Sequence, residues 1–203
     1  MKYGGVLIAL FILFTGCGNT QPKVKGKYYN IKECKKEMAT AEDIDEGERI
    51  DKIIVYKSKR KMDLYRDGSV VDTLPISLGK NSKGDKVKQG DNKTPEGQYW
   101  IRRKLCSQKY YRSLCISYPN PNDIRQARSR GVNPGGDITI HAQPTWNANG
   151  QNNKYTLARN WTQGCVAVTN KEMEKLWYAV REGVPIVIKK SVSYTHLRAH
   201  ETP

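Results

Sequence analysis

From Asp51 onward the chain is a succession of short β-favouring runs broken by turn residues, and this pattern limits the fold more than any other feature. Ile53-Ile54-Val55-Tyr56 is β-branched and aromatic, and Lys61-Met62-Asp63-Leu64-Tyr65 alternates as a half-buried strand does. Asp67-Gly68 is a hairpin turn signal, with Val70–Leu78 as the returning strand. Further strands are expected at Gly97–Arg102, Leu114–Tyr118, Asp137–His141, Cys165–Val168 and Val184–Lys189. Only two good helical signals interrupt them. Asn120 followed by Pro121 opens a short helix that Gly131 can close. Thr169 and Glu172 form a capping box ahead of Met173, Leu176, Trp177 and Val180, one apolar stripe that Gly183 ends. Many short strands with few small helices predict a mainly β barrel or sandwich, built as a single domain.

The two ends of the chain differ from this domain. Met1-Lys2-Tyr3 is a positive start, followed by the apolar run Val6–Phe14 and then Thr15-Gly16-Cys17. The run is shorter than the ~20 residues a spanning helix needs and matches a signal-peptide core. Small residues just before Cys17 resemble the lipobox of bacterial lipoproteins, in which that cysteine carries the lipid. Residues 1–17 are therefore expected to be a lipoprotein signal, and 18–50 a lysine-rich polar tether holding one short helix near Lys32–Asp43. Residues 191–203 have no apolar period and resemble read-through of a sequencing adapter, so they are set aside as a non-native tail. Their His196 and His200, and the metal site they would suggest, go with them. The folded domain is then 51–190.

Lys and Arg exceed Asp and Glu by 35 − 20 = 15, so the surface attracts anions. Nucleic acid and an anionic envelope both fit that charge. Export through the N-terminal signal removes nucleic acid. Lys80, Lys83, Lys86, Lys88 and Lys93 crowd a glycine-rich segment from Gly79 to Gly97, which reads as a solvated charged loop.

Five cysteines need separate accounts. Cys17 is the lipid site, and Cys34 in the tether has no evident role. Cys106 and Cys115 stand at a spacing that a hairpin bridges, or are two unpaired thiols. Cys165 follows Thr162-Gln163-Gly164 at the start of a strand, where a glycine lets successive N–H groups converge. A thiol nucleophile needs a base, and with the tail set aside His141 is the available histidine. On spacing alone, a buried cysteine and an incidental histidine are the better account of the pair. Trp146, Tyr155 and Trp161 lie between the two in sequence and are assigned no role.

A resemblance decides the matter. From Lys52 to Ile188 the chain resembles the L,D-transpeptidase catalytic (YkuD) family, in its YafK-like branch. The matching pieces are Pro75-Ile76-Ser77-Leu78-Gly79, Gly90-Asp91-Asn92-Lys93-Thr94-Pro95-Glu96-Gly97 and Ile116-Ser117-Tyr118-Pro119. Gly135-Gly136-Asp137-Ile138-Thr139-Ile140-His141 and Trp161-Thr162-Gln163-Gly164-Cys165-Val166-Ala167-Val168-Thr169-Asn170 complete the set, in the family's order. The resemblance implies a YkuD-like fold over 51–190 with Cys165 as nucleophile and His141 as base. Backbone N–H groups around Gln163, Gly164 and Cys165 would hold the oxyanion, and Thr162 would hold the loop. It implies peptidoglycan stem peptides as substrate, a thioester acyl-enzyme, no metal and no cofactor. The expected setting is the outer, periplasmic side of a membrane, reached through the lipid on Cys17, with the protein acting as a monomer. A hydrolase of the same bond class and an inactive wall-binding module are the alternatives. One departure is plain: Ala142 stands where the family usually has glycine after the histidine. If that position needs φ > 0, alanine costs about 1 kcal/mol there.

Overall fold

In the computed structural model, residues 30–40 and 48–190 are described, so the expected signal, Cys17 and the tail lie outside the described residues. The apolar run predicted at Ile53–Tyr56 becomes β1 (Lys52–Tyr56), whose central three residues are buried. They are apolar without alternation because both faces of β1 are buried. Its edges pair with β2 (Lys61–Arg66) and β8 (Pro185–Lys189). β2 turns into β3 (Ser69–Pro75) through Asp67 and Gly68, both at positive φ (50° and 77°), as a tight two-residue hairpin requires. On the other side of β8 follow β4 (Gly97–Ser107), β5 (Tyr111–Ile116), β6 (Thr139–His141) and β7 (Val166–Ala167). The sheet order is β3-β2-β1-β8-β4-β5-β6-β7, with parallel pairs only at β1–β8 and β6–β7.

The sheet curls until its ends meet. Ser77, just past β3, exchanges two 2.8 Å N–H···O bonds with Ala167 of β7, and Thr162 N–H donates to the Leu78 carbonyl. The mainly β reading with small helices holds, in the form of one curled sheet around a core that includes Ile53, Met62, Leu78, Ile101, Ile140 and Ile186.

α2 (Pro121–Ser129) and α4 (Asn170–Ala179) sit where their caps predict. In α4 the capping box is reciprocal: Glu172 N–H donates to Thr169 Oγ1 at 3.2 Å, and Thr169 N–H to Glu172 Oε2 at 2.7 Å. The helix stops at Ala179, short of Gly183, because Val180 is extended and bridges Ile50. A short helix that no cap announced, α3 (Asn153–Leu157), lies in the segment between β6 and β7.

Three expectations need correction. The predicted short helix forms as α1 (Ile31–Thr40), but Cys34 on it is fully buried and disulfide-bonded to Cys106, with Cα atoms 6.0 Å apart. Cys106 and Cys115 do not pair, because the hairpin register sets Cys106 opposite Arg112 and Cys115 opposite Arg103. Cys115 is a free, buried thiol. α1 is further tied down by an ion pair between Glu37 and the buried Arg112.

The glycine-rich loop is also not simply solvated. Lys86 is buried, with Nζ 2.8 Å from Asp91 Oδ1 and 3.0 Å from the Lys88 carbonyl. Lys57 reaches into the same loop and donates to the Gly84 and Thr94 carbonyls, both at 2.7 Å, and to Glu96 Oε1 at 2.9 Å. Two buried ammonium groups thus replace the apolar core this loop lacks. Gly79 lets the loop pack closely, since a Cβ there would stand 2.2 Å from the Asn92 carbonyl oxygen.

Candidate active site

Strand alternation sets the proposed pair on one face of the sheet. In the parallel β6–β7 ladder Ile140 lies beside Val166 and His141 beside Ala167, which sets Thr139 level with Cys165. Side chains two residues apart share a face, so Thr139, His141, Cys165 and Ala167 all project from one side of the sheet. Cys165 opens onto a cleft of about 530 Å³, whose walls include Lys86, Gln89, Asn92, Asp137 and Gln163. Thr162, Gln163 and Gly164 form the turn leading to it.

Thr162 fixes that turn. Its Oγ1 accepts the Gly164 N–H at 3.1 Å and donates to the Cys165 carbonyl at 2.7 Å. The Gly164 N–H is therefore already engaged, leaving those of Gln163 and Cys165 as the oxyanion donors to consider from the expected three. Gly164 has φ 131°, and a Cβ there would lie 2.6 Å from the Lys93 carbonyl oxygen. The glycine thus serves both the turn and the close approach of the lysine-rich loop.

His141 is 1% exposed. Its Nδ1 lies 2.7 Å from the Ala142 carbonyl. A carbonyl can only accept, so Nδ1 carries the proton and Nε2 is left as the proton acceptor. No acidic side chain is needed for this orientation. Ala142 lies outside the positive-φ residues, so alanine replaces glycine there without backbone strain. The next residue anchors the segment: Gln143 Nε2 donates to the Val168 carbonyl at 2.6 Å, and its N–H to Asn170 Oδ1 at 3.0 Å.

Two aromatic residues cover the imidazole. Tyr110, from the turn between β4 and β5, stacks on it with centroids 4.0 Å apart, and Trp161 meets it edge-on at 5.6 Å. Trp161, assigned no role from sequence, belongs to the site. Tyr110 had no local signal, because only the hairpin's path brings it here. Trp146 and Tyr155 remain exposed, paired with each other at 6.4 Å.

Burial pushes the Cys165 thiol up, opposed by hydrogen bonds from the backbone and side chain of Thr139 and by the Lys86 charge. Burial pushes His141 down to about 4, opposed by the Ala142 carbonyl contact, with Lys109 adding to the fall. Both shifts keep the resting pair as neutral thiol and neutral imidazole. The imidazole shift also has a stability consequence. Between about pH 6.5 and about pH 4 the unfolded chain binds a proton here that the folded chain refuses, so stability falls as the pH falls through that window. The full loss is about 3 kcal/mol. Urea titrations of wild type and His141→Gln across pH 4–7 are expected to show a shallower acid loss in the variant. Parallel slopes would overturn the assignment of this shift.

The family model of the YkuD L,D-transpeptidase catalytic domain matches residues 50–188. YafK of Escherichia coli (strain K12), whose name places it among the L,D-transpeptidases, is 27% identical over 134 residues, covering 63% of this chain and 46% of that protein. The solved structure of Bdellovibrio bacteriovorus Bd1075 superposes with a TM-score of 0.52 at 26% identity, covering 74% of this chain and 51% of that one. The helical cell shape determining protein Pgp2 of Campylobacter jejuni, as its K307A mutant, gives a TM-score of 0.52 at 25% identity, covering 71% and 48%. The chain spans about half the length of each of these relatives.

Proposed function

The chain belongs to the L,D-transpeptidase catalytic domain family, and from that premise we propose that it is an exported cysteine acyltransferase acting on peptidoglycan stem peptides. The observation that carries the proposal is Cys165 open to a cleft, on the same sheet face as a histidine whose Nε2 is free to take its proton.

The chemistry follows from that arrangement. The Cys165 S–H bond breaks, its proton passes to His141 Nε2, and Sγ attacks an amide carbonyl of the stem at the L-centre of its diaminopimelate residue. The N–H groups of Gln163 and Cys165 stabilise the tetrahedral oxyanion. The C–N bond then breaks, and the imidazolium returns its proton to the departing amine. A thioester remains on Cys165. An incoming amine resolves it to a new cross-link, and water resolves it to a shortened stem. The lipid on Cys17 would hold the enzyme, as a monomer, to the envelope on the side facing the wall. Residues 51–190 would be the catalytic domain, 18–50 its polar tether, and 191–203 a non-native tail. The excess positive charge suits that anionic setting.

The test is incubation of the purified protein with a defined disaccharide-tetrapeptide, read by mass spectrometry. A dimer linked between two diaminopimelate residues is the expected product. A tripeptide alone would assign the hydrolase reading of the same thioester. Unchanged substrate would overturn the proposal.

A further inference from the structure

Thr139 stands two positions before His141 on β6 and level with Cys165. We infer that Thr139 is a positioning residue for the Cys165 sulfur, offering it both a hydroxyl and a backbone N–H as the thiolate forms. The inference rests on the reading of Cys165 as nucleophile.

The backbone argument comes from the ladders. On β6, the residues facing β5 are the even ones: Ile138 accepts from Ile116 N–H at 3.1 Å, and Ala142 N–H donates to Arg112 at 3.3 Å. The alternation of an antiparallel pair then turns the N–H of Thr139 away from β5, toward β7. The β7 ladder begins only at Val166. At the level of Thr139 the neighbour is Cys165, and the Thr139 N–H acts on its sulfur in the sense that favours the thiolate. Thr139 Oγ1 supplies the second donor, 3.6 Å from Sγ. On the remaining side the Asp137 carbonyl lies 3.6 Å from Sγ and can only accept.

These three groups distinguish the two states of the sulfur. The thiol donates its proton to the Asp137 carbonyl. When that proton leaves for His141 Nε2, the Asp137 contact has no hydrogen left, and the two Thr139 donors face a full negative charge. Hydrogen bonds to an ion are about twice as strong as those between neutral groups, so Thr139 favours the thiolate over the thiol. Its β-branched side chain restricts χ1, which holds the hydroxyl in place. Valine would keep the shape and the N–H while losing the O–H donor.

The experiment measures the rate at which iodoacetamide alkylates Cys165 as a function of pH, on the full chain with its disulfide intact. Peptide mass mapping separates Cys165 from the buried Cys115. Thr139→Val is expected to alkylate about tenfold more slowly at neutral pH, with the midpoint of the profile moved upward. kcat on the stem peptide should fall in parallel while KM holds. Thr139→Ser, which restores the donor, should lie within about twofold of wild type. Should the valine variant fail to fold, Thr139→Ala removes the same donor and is read in the same way. A variant lacking the hydroxyl whose pH profile superimposes on wild type sinks this inference and leaves the nucleophile reading intact. Turnover retained by Cys165→Ala would sink the nucleophile reading itself.

Discussion

Cys165→Ala is expected to abolish turnover of peptidoglycan stem peptides, by at least about 10⁴-fold, while the fold persists. The loss is this large because the nucleophile and base act as a unit, and removing the nucleophile forfeits the whole covalent route. No other described thiol can substitute. Cys115 is buried, and Cys34 and Cys106 are bonded to each other. Stability should change by less than about 1 kcal/mol, since the side chain is partly exposed at the edge of a cleft and leaves little cavity. Product formation by mass spectrometry and thermal unfolding of the same preparations check both halves. Residual turnover above about one part in a hundred would mean that another group attacks. His141→Ala should cost less than Cys165→Ala, because the resting thiol can still ionise slowly without its base.

What the sequence revealed was what is local in the chain. The Thr169–Glu172 box, the Asn120–Pro121 start and the Asp67-Gly68 turn each satisfy backbone groups within a few residues, so their geometry is written where it is used. Cys165 and His141 were placed by the motifs around them, and the parallel register of β6 and β7 sets both on one sheet face. Thr139 was legible in principle, because strand alternation sends its side chain the same way as that of His141. Tyr110 and Lys86 were not. One reaches the imidazole only through the twist of a long hairpin, and the other is buried by a loop whose packing partner, Asp91, lies among charges that read as solvated. Gly164 was singled out for turning the backbone. The nearness of the Lys93 carbonyl adds a second reason that no local pattern carries.

The Cys34–Cys106 bond is the least legible feature and carries the second large expectation. The two cysteines are separated by 72 positions, and nothing near either one signals the other. Closing a loop of that length restricts the unfolded chain by about 4 kcal/mol on the loop-entropy relation. Export, as proposed above, would bring the chain into the oxidising setting in which such a bond persists. Its position ties stability to the site. Cys106 lies on the hairpin that ends in Tyr110, the residue stacked on His141, and α1 also grips Arg112 through Glu37. The Arg112 carbonyl in turn accepts the N–H of Ala142, beside the His141 imidazole. Reduction, or the double substitution Cys34→Ala with Cys106→Ala, is therefore expected to lower the melting temperature by about 10 °C. Both treatments should also raise exchange of the Tyr111 and Arg112 amides measured by hydrogen–deuterium exchange. Cys115→Ala, which leaves the bridge intact, should not loosen that hairpin. If reduction leaves both the melting temperature and hairpin exchange unchanged, α1 does not clamp the hairpin, and the cover over His141 depends on the aromatic contacts alone.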